Sequence, residues 1–294
     1  MRKVPSPLDN GPLDLVIIGH VGLNYESSPA GESHGLGGAG YACARGAAGT
    51  AAGRVGLVSV VGEDHDPEPI RALGVDTRGV CRMAGPSARF HITQHADGSR
   101  SFAASLGVAA HVPLSCFPDA YRSASHVHVC TAPPAQQLQW LHYLQSLPGR
   151  RTISCDAFEH YARTEPLSSR AALAECDLRF ANDEELELLG GDTTEAGTPI
   201  VVKHGSGGAS YSDGHQTWHA PAPPVRAVDT THAGEILAGV FLALRSAVAP
   251  PVALRHAVRA ATSKVTQFGV DGDQLLRTLA AIRDDVGQRQ GHAV

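Results

Sequence analysis

Short apolar runs that alternate with longer helix-like stretches are the feature that most limits how this chain can fold. Stretches with helical apolar spacing or high alanine content lie at 39–49, 136–147, 168–176 and 183–190. Between and around them, runs of mostly branched apolar residues with the length of buried strands lie at 13–19, 55–62, 126–132, 151–157, 178–183 and 199–205. This β-α-β order predicts an α/β fold with a doubly wound, mostly parallel sheet flanked by helices.

Two parts of the chain depart from that alternation. From His232 onward, the sequence is typical of successive helices. Residues 88–106 instead contain two strand-like runs around an Asp-Gly turn, which predicts a β-hairpin outside the main series. No internal repeat or long linker divides the chain. We therefore expect a single domain over residues 1–294, with the hairpin as a small β lid.

Charge and composition limit the class of partner. The 24 basic and 29 acidic side chains give a net charge of 24 − 29 = −5, which does not suggest a surface for a nucleic-acid backbone. With 43% apolar and 18% charged residues, the chain has enough apolar material for a core. The first apolar run, 15–18, is too short for a signal or membrane segment. We expect a cytoplasmic protein with a small-molecule substrate and no nucleic-acid or membrane partner.

Cysteine and histidine residues raise the question of metal binding. The six cysteines are scattered without a C-x-x-C pair, so we expect free thiols in a reducing compartment and no disulfide framework. His126, His128 and Cys130 would share one face of a strand. Such a group could hold a metal ion, or it could be a strand face packed under a helix, and the sequence leaves both interpretations open.

The segment Asp229–Glu235, D-T-T-H-A-G-E, runs directly into an apolar helix. A glycine-containing turn at a helix start presents backbone N–H groups and the positive end of the helix dipole, which favour an oxyanion. An acidic residue in the first turn is also a common helix start, so Glu235 is either part of an anion site or simply favourable there.

Several segments, in the same order along the chain, resemble one family. Asp229–Glu235 resembles the D-T-x-G-A-G-D signature of the ribokinase-like, or PfkB-type, carbohydrate and nucleoside kinases. The other resembling segments are 19–24, 37–44, 61–66 with 74–80, N-D-E-E at 182–185, 201–211 and 260–270. The resemblance covers nearly the whole chain and implies a ribokinase-like fold.

The resemblance also implies roles for particular residues. Glu235 stands where the family has its catalytic base, and the backbone of His232, Ala233 and Gly234 stands where the family has its anion hole. Substrate contacts are implied for Asn24, Gly37, Gly38 and Tyr41. ATP and Mg²⁺ are the implied cofactors, with Glu185 on the metal and nucleotide contacts from Asn182, Lys203, Gly205, Gly208, Asp229 and Thr230. Lys203 is either a phosphate contact or a charge at a strand end.

Departures from the family pattern concentrate at the chemistry. His232 replaces a glycine, and Glu235 replaces an aspartate. A histidine that must adopt a positive φ is strained by roughly 1–2 kcal/mol. On the substrate side, Asn24 replaces an aspartate and Ala42 replaces an asparagine, so an ordinary furanose would lose contacts.

Three functions remain in competition. The first is ATP-dependent phosphorylation of a hydroxyl on a small sugar, polyol or nucleoside-like molecule, by a protein that could dimerise through its lid. The second is a kinase fold with lost or redirected chemistry, acting as another enzyme or as a small-molecule-binding protein. The third is dinucleotide-dependent oxidoreduction, because Gly35, Gly37 and Gly40 spell G-x-G-x-x-G. That motif should directly follow a strand, whereas here we expect a polar loop before it.

Overall fold

The computed structural model of the chain describes residues 2–3, 11–29, 31–50, 53–96, 100–191 and 197–291. The strands are β1 (Arg2–Lys3), β2 (Leu15–Ile18), β3 (Gly22–Ser28), β4 (Gly31–Gly37), β5 (Val55–Gly62), β6 (Asp76–Met83), β7 (Ala88–Gln94), β8 (Arg100–Ser105), β9 (His126–Val129), β10 (Thr152–Asp156), β11 (Leu178–Asn182), β12 (Ile200–Lys203), β13 (Ala209–Ser212) and β14 (Thr217–Ala220). The α-helices are α1 (Ala39–Thr50), α2 (Glu68–Arg71), α3 (Pro134–Ser146), α4 (Glu159–Thr164), α5 (Pro166–Ala174), α6 (Asp183–Leu188), α7 (Ala233–Leu244), α8 (Pro250–Lys264) and α9 (Asp273–Gly291).

The main sheet confirms the predicted α/β class. Its strand order is β1-β6-β5-β2-β9-β10-β11-β12-β13-β14. The seven strands from β6 to β12 in that order run parallel, and each of the six predicted runs is one of them. β1, β13 and β14 add antiparallel strands at the edges. The chain winds outward from β2 through β5 to β6, and later from β9 to β12. The order therefore reverses between β2 and β9, where α/β sheets commonly bind ligands at the carboxyl ends of the strands.

Helices cover both faces of this sheet, as alternation along β2 shows. Leu15 and Ile17 face a core that contains residues of α1, α7, α8 and α9. Val16 and Ile18 face the opposite core, which contains residues of α3 and α5. Because side chains alternate along a strand, a run of four buried apolar residues serves both cores at once.

The predicted lid hairpin belongs to a larger sheet, the lid sheet, with strand order β4-β3-β7-β8. β7 and β8 pair antiparallel, as residues 88–106 predicted, and the predicted Asp-Gly turn lies outside the described residues. The polar loop expected before α1 is wrong, because this segment forms the antiparallel hairpin of β3 and β4. Strand β4 is mostly exposed, so it lacks the apolar run from which buried strands are recognised.

This hairpin also changes the interpretation of G-x-G-x-x-G. The motif does follow a strand directly, because Gly35 and Gly37 lie in β4 and Gly40 lies in α1. The strand belongs to the lid sheet and not to the parallel sheet. The geometry of a dinucleotide-binding β-α-β turn is therefore absent at this position.

The cysteines give a second correction. Cys81 on β6 and Cys116 form a disulfide, with their Cα atoms 6.0 Å apart. The expectation of free thiols throughout is wrong for this pair, because 35 residues separate the two cysteines and only the fold brings them together. The other four cysteines are free and buried. Within the described ranges, no helix combines the length and apolar character needed to cross a bilayer.

Candidate active site

The first turn of α7 begins with an unusual backbone conformation. His232 has φ 64° and ψ 8°, and it is the one non-glycine residue with positive φ in the described part of the chain. The strain predicted for a histidine here is therefore present in the conformation itself. The side chain has compensating contacts: the Gly38 N–H donates to Nε2 at 3.1 Å, and Asn24 Nδ2 lies 3.4 Å from Nδ1. His232 thus connects the first turn of α7 to the double-glycine segment, Gly37 and Gly38.

A buried ion pair lies beside that turn. Lys203, at the end of β12, donates from Nζ to Asp156 Oδ1 at 2.7 Å, and Asp156 ends β10. A Cβ placed on Gly234 would lie 3.3 Å from Lys203 Nζ, so the ammonium is against the first turn of α7. The parallel register of strands β10 to β12 brings these carboxyl ends together at one edge of the sheet.

Charges around the pair shift both pKa values. Burial alone would lower the pKa of the Lys203 ammonium, but three nearby carboxylates outweigh burial and raise it; they belong to Asp156, Glu185 and Glu235. Burial raises the pKa of Asp156 to about 7, Lys203 opposes that rise, and the charges of Glu185 and Glu235 add to it. One ammonium is thus shared by three acidic groups from different elements. Such a cluster of titratable groups is suited to moving a proton.

The substrate-side residues are brought together, with one exception. Asn24 on β3 is 4% exposed; its Nδ2 donates to Glu26 Oε1 at 2.9 Å, and its buried Oδ1 has no partner among the described groups. A Cβ on Gly37 would overlap Asn24, so this glycine makes room for the amide. Gly38 has φ 87°, which favours glycine, and its N–H is the one held by His232.

Tyr41 is the exception. Its side chain is 1% exposed within the core, and its hydroxyl donates to Asp271 Oδ2 at 3.0 Å. Burial, more than the neighbouring Asp271, raises the pKa of this hydroxyl. This burial argues against a direct substrate contact by Tyr41, which stays a prediction. Tyr41 lies on the first turn of α1, and that helix turns its ring inward, which the sequence position alone does not reveal.

Aromatic rings connect the lid sheet to the main body. Phe102 on β8 is 52% exposed and lies 6.2 Å from the Phe90 ring and 6.3 Å from the Phe158 ring. Phe158 follows Asp156 by two residues. The lid sheet therefore contacts the segment that follows β10, and the aromatic contact lies two residues along the chain from Asp156.

The predicted nucleotide and metal residues adopt a compact helix start. The Asn182 side chain accepts the Glu185 N–H at 2.8 Å, and Glu185 Oε2 accepts the Asn182 N–H at 2.7 Å. This reciprocal capping box begins α6 and stabilises it. Asn182 and Glu185 thus have a structural role at the start of α6, and the buried carboxylate of Glu185 also acts electrostatically on Lys203.

Glycines shape the loop after β12. Gly205 has φ 54° with open space where a side chain would stand, and Gly208 has φ 98° with the Ala220 carbonyl 2.0 Å from an added Cβ. Gly208 is therefore required by the packing of the protein itself. The open side of Gly205 leaves the loop accessible to a ligand.

Asp229 and Thr230 lie in the turn before α7 and differ in burial. Asp229 is buried; its Oδ1 accepts the Thr231 N–H at 2.8 Å, and its other oxygen is paired with the Lys264 ammonium. Burial opposes ionisation, but Lys264 and the Thr231 N–H lower the pKa of Asp229. Its carboxylate is engaged within the protein, so the predicted cofactor contact has no observation in its favour. Thr230 is exposed, and its carbonyl accepts the Ala233 N–H at 3.3 Å.

The suspected metal group is only partly assembled. His126 Nε2 and His128 Nδ1 lie 2.8 and 2.9 Å from Ser154 Oγ, while the ligand atoms of His128, Cys130 and Cys43 lie within 4.8 Å of one another. Burial lowers the pKa of His128 to about 3 and raises the pKa of Cys130, so both groups are neutral in the fold. Among the described residues the group offers three buried donors where structural zinc takes four, which favours a packed strand face.

Two charged residues of this region were missed from the sequence. Asp156 follows an apolar run and stands alone, and Lys264 lies within a helical stretch with no neighbouring acidic motif. Both contact partners more than 30 residues away, at Lys203 and Asp229. A signal was available in part, because polar residues at the carboxyl ends of parallel strands converge in doubly wound sheets.

Comparison with known proteins agrees with this geometry. Residues 14–275 match the pfkB family of carbohydrate kinases. A cytidine kinase of Thermococcus kodakarensis is 29% identical over 245 residues, which span 79% of this chain and 88% of that protein. An ATP-dependent ribose-1-phosphate kinase of Halopiger xanaduensis is 31% identical over 207 residues, 64% of this chain and 66% of that protein.

A solved structure supports the same fold. The nucleoside kinase of Burkholderia thailandensis, in complex with inosine, superposes with a TM-score of 0.76 at 18% identity over 95% of this chain and 97% of that one. The chain belongs to the pfkB family of carbohydrate kinases, a class of kinase for which ATP use is implied. This confirms the family resemblance of the motifs and excludes the oxidoreductase alternative as the class of protein.

Proposed function

We propose that this protein transfers the γ-phosphoryl group of ATP to a hydroxyl of a small nucleoside-like or sugar-like molecule. The observation that carries the proposal is the convergence of Glu235, Lys203 and the first turn of α7 at one edge of the sheet. His232, which begins this turn, also contacts Asn24 and Gly38. Phosphoryl transfer needs a proton acceptor and positive charge at the transferring group. This edge offers the Glu235 carboxylate, the Lys203 ammonium and the positive dipole end of α7.

Glu235 accepts the proton of the attacking hydroxyl. It lies in the first turn of α7, half-buried, where its charge acts on both Lys203 and Asp156. A carboxylate serves as general base if it reaches the hydroxyl in the bound complex. Glutamate is one methylene longer than the family aspartate. The positive-φ backbone of His232 belongs to the same turn.

Lys203 stabilises the charge on the transferring group. Its ammonium already lies against Gly234, beside the N–H groups and positive dipole end of α7. Because it is pre-positioned by Asp156, little reorganisation is needed when negative charge develops. The backbone of His232, Ala233 and Gly234 completes this anion-binding turn.

The nucleotide and its metal would lie on the α6 side. The donor set fits a hard cation, since Glu185 offers a buried carboxylate next to the Asn182 cap. Mg²⁺ prefers such oxygen ligands while keeping several waters, and when bound it would neutralise phosphate charge. Gly205 and Gly208 would allow close passage of the nucleotide, with Thr230 exposed nearby.

The acceptor is expected to be closer to a nucleoside than to a free sugar. The inosine-bound relative and the cytidine kinase support this class. Asn24 Oδ1 is a buried acceptor with no partner among the described groups, and the apolar rings of Phe90 and Phe102 lie in the same lid sheet as Asn24. Asn24 and Ala42 stand where the family has other polar groups, so ribose and fructose should bind poorly.

Calorimetry and an acceptor panel test this function. ATP with Mg²⁺ should bind with measurable heat, and ADP formation should be at least about tenfold faster with cytidine or inosine than with ribose or fructose, since one unmet buried polar group costs about that much. A reaction without acceptor is the control. Absence of nucleotide binding would instead favour a kinase fold with redirected chemistry. Efficient turnover of ribose would remove the assignment of Asn24.

A homodimer through the lid sheet is also proposed. Strands β4 and β8 are the two edges of that sheet, and the exposed Phe102 lies on β8. An open edge with an apolar side chain is suited to pairing with a second copy. Light scattering should give the mass of a dimer, and a monomer at every concentration would contradict it. The use of ATP favours the cytoplasm as the compartment.

A further inference from the structure

The buried ammonium of Lys264 has no part in the chemistry described above. Lys264 ends α8, and its side chain is 0% exposed. The chain has only three lysines, at 3, 203 and 264, so 21 of its 24 basic residues are arginine. With arginine so strongly preferred elsewhere, a lysine in a closed site indicates that a compact ammonium is needed there.

Oxygen atoms surround this ammonium. Nζ donates to the Asp229 carboxylate, to the Asp229 carbonyl at 3.1 Å and to the Gln267 carbonyl at 3.5 Å. An ammonium has three N–H donors, and each has an oxygen here. Full use of its donors is the condition under which a buried cation is tolerated.

These contacts are connected to the anion-binding turn by hydrogen bonds of Asp229. Asp229 Oδ1 accepts the N–H of Thr231, the residue before His232. The Asp229 N–H in turn donates to the Val265 carbonyl at 3.2 Å. The end of α8 therefore fixes the backbone of the turn from which α7 begins.

The lid sheet is tied to the same place. Glu26 Oε2 accepts the Gly269 N–H at 3.3 Å, in the segment after α8. Burial raises the pKa of Glu26, and the nearby charge of Asp229 adds to the rise, while Asn24 and Lys264 oppose it. The Lys264 ammonium thus offsets the negative charge of Glu26 on the lid sheet and of Asp229 before α7.

We propose that Lys264 is a positioning residue. Its buried ammonium holds the Asp229–His232 turn in the conformation needed for phosphoryl transfer. It touches neither substrate nor nucleotide. The inference rests on the proposed function for its catalytic consequence, and on contacts alone for its effect on the turn.

Two single variants, which leave different amounts of space at position 264, test this positioning role. Lys264→Ala removes the ammonium and leaves room, whereas Lys264→Met removes the charge and fills the room. Both should lower kcat by about a hundredfold, because a displacement of about 1 Å in a reacting group can cost that much, while KM for ATP changes little. Methylammonium should restore part of the kcat of Lys264→Ala and none of that of Lys264→Met. Tetramethylammonium, too large for the site, controls for ionic strength.

A double variant separates positioning from folding. Lys264→Ala leaves Asp229 buried and unpaired, which can unfold the protein. Asp229→Asn with Lys264→Met removes both charges and keeps the oxygen that accepts the Thr231 N–H. It should fold, as judged by circular dichroism, but still have a low kcat, because the two carbonyls lack their donor. A double variant with wild-type kcat would overturn the inference.

Hydrogen exchange distinguishes this inference from the proposed function. In the absence of substrates, amides of residues 230–236 should exchange faster in Lys264→Ala than in wild type, and methylammonium should slow them again. An inactive wild-type protein would overturn the proposed function while exchange still decides the role of Lys264. Unchanged exchange in this segment would overturn the positioning role, whatever the activity.

Discussion

Glu235 is the residue on which the proposed chemistry depends most. Glu235→Gln should lower kcat by at least about a hundredfold with nearly unchanged ATP affinity, because the amide cannot take the hydroxyl proton. Glu235→Asp should retain or increase phosphoryl transfer if the site merely tolerates the longer side chain. Steady-state kinetics and calorimetry measure the two effects. Full activity of Glu235→Gln would leave the residue only as a favourable charge at the start of α7.

Asp156 should give the enzyme a pH dependence near neutrality. Burial raises its pKa to about 7, so the carboxylate gains a proton as the pH falls through that value and the charged pair with Lys203 is lost. The rate should therefore fall on the acid side of about pH 7. Asp156→Asn should remove this limb and give a low, flatter profile. Asp183→Asn, at an exposed position, is the matched control and should keep the limb. An unchanged limb in Asp156→Asn would assign it to another group.

His232 allows backbone strain to be separated from side-chain contact. His232→Ala keeps a Cβ at positive φ and loses the contacts to Gly38 and Asn24, whereas His232→Gly loses the same contacts and relieves the strain. His232→Gly should therefore be more stable than His232→Ala by about 1 kcal/mol in urea unfolding. Equal stabilities would mean that the turn relaxes when the imidazole is removed.

At this scale the sequence predicts part of the site. The family resemblance assigns Asn24, Gly38 and His232 to the site, and the structure brings the three into contact. The burial of Tyr41 could not be predicted, because a position in a motif does not say which face of α1 the side chain occupies. Asp156 and Lys264 could not be predicted from local sequence, because each is defined by a partner on a distant element.

Between elements, the packing of α1 against α7 sets the distance from Gly37 and Gly38 to the proposed anion-binding turn. A Cβ on Gly239 would lie 2.0 Å from the Cys43 carbonyl, and one on Gly46 would lie 2.7 Å from the Ile236 carbonyl. The two helices therefore touch backbone to backbone, at positions one to two turns beyond the catalytic segments.

Gly239→Ala should destabilise the protein by about 2–3 kcal/mol, because the added methyl meets main-chain atoms that cannot move aside alone. Gly287→Ala, at an exposed position of α9 with open space around it, is the matched control and should stabilise by about 0.5–1 kcal/mol through helix propensity. Urea unfolding measures both. Equal effects of the two substitutions would contradict the close helix contact.

The strands show which elements a sequence reveals. β5 is predicted with its observed bounds of 55–62, because it is buried on both faces and reads as a continuous apolar run. β3 and β4 were not predicted, because β4 is mostly exposed and β3 carries the polar residues Asn24 and Glu26 on its buried face. The Cys81–Cys116 pair is likewise invisible before the fold is known.

For the whole molecule, the charged cluster and the lid sheet both lie next to the first turn of α7. Lys203 lies against Gly234 there, and Asn24 lies beside His232. Asn24 on the lid sheet lies 3.4 Å from His232 on the main body, so the two parts meet at the site itself. The predicted single domain over residues 1–294 stays a prediction.

The most direct test is to follow phosphorus. Purified protein is incubated with ATP, Mg²⁺ and a nucleoside acceptor, and ³¹P NMR records where the γ-phosphoryl group goes. We predict loss of ATP matched by equal amounts of ADP and a phosphomonoester on the acceptor, with neither formed by Glu235→Gln over the same time. Unchanged ATP, or ADP with inorganic phosphate and no phosphomonoester, would contradict phosphoryl transfer to a hydroxyl.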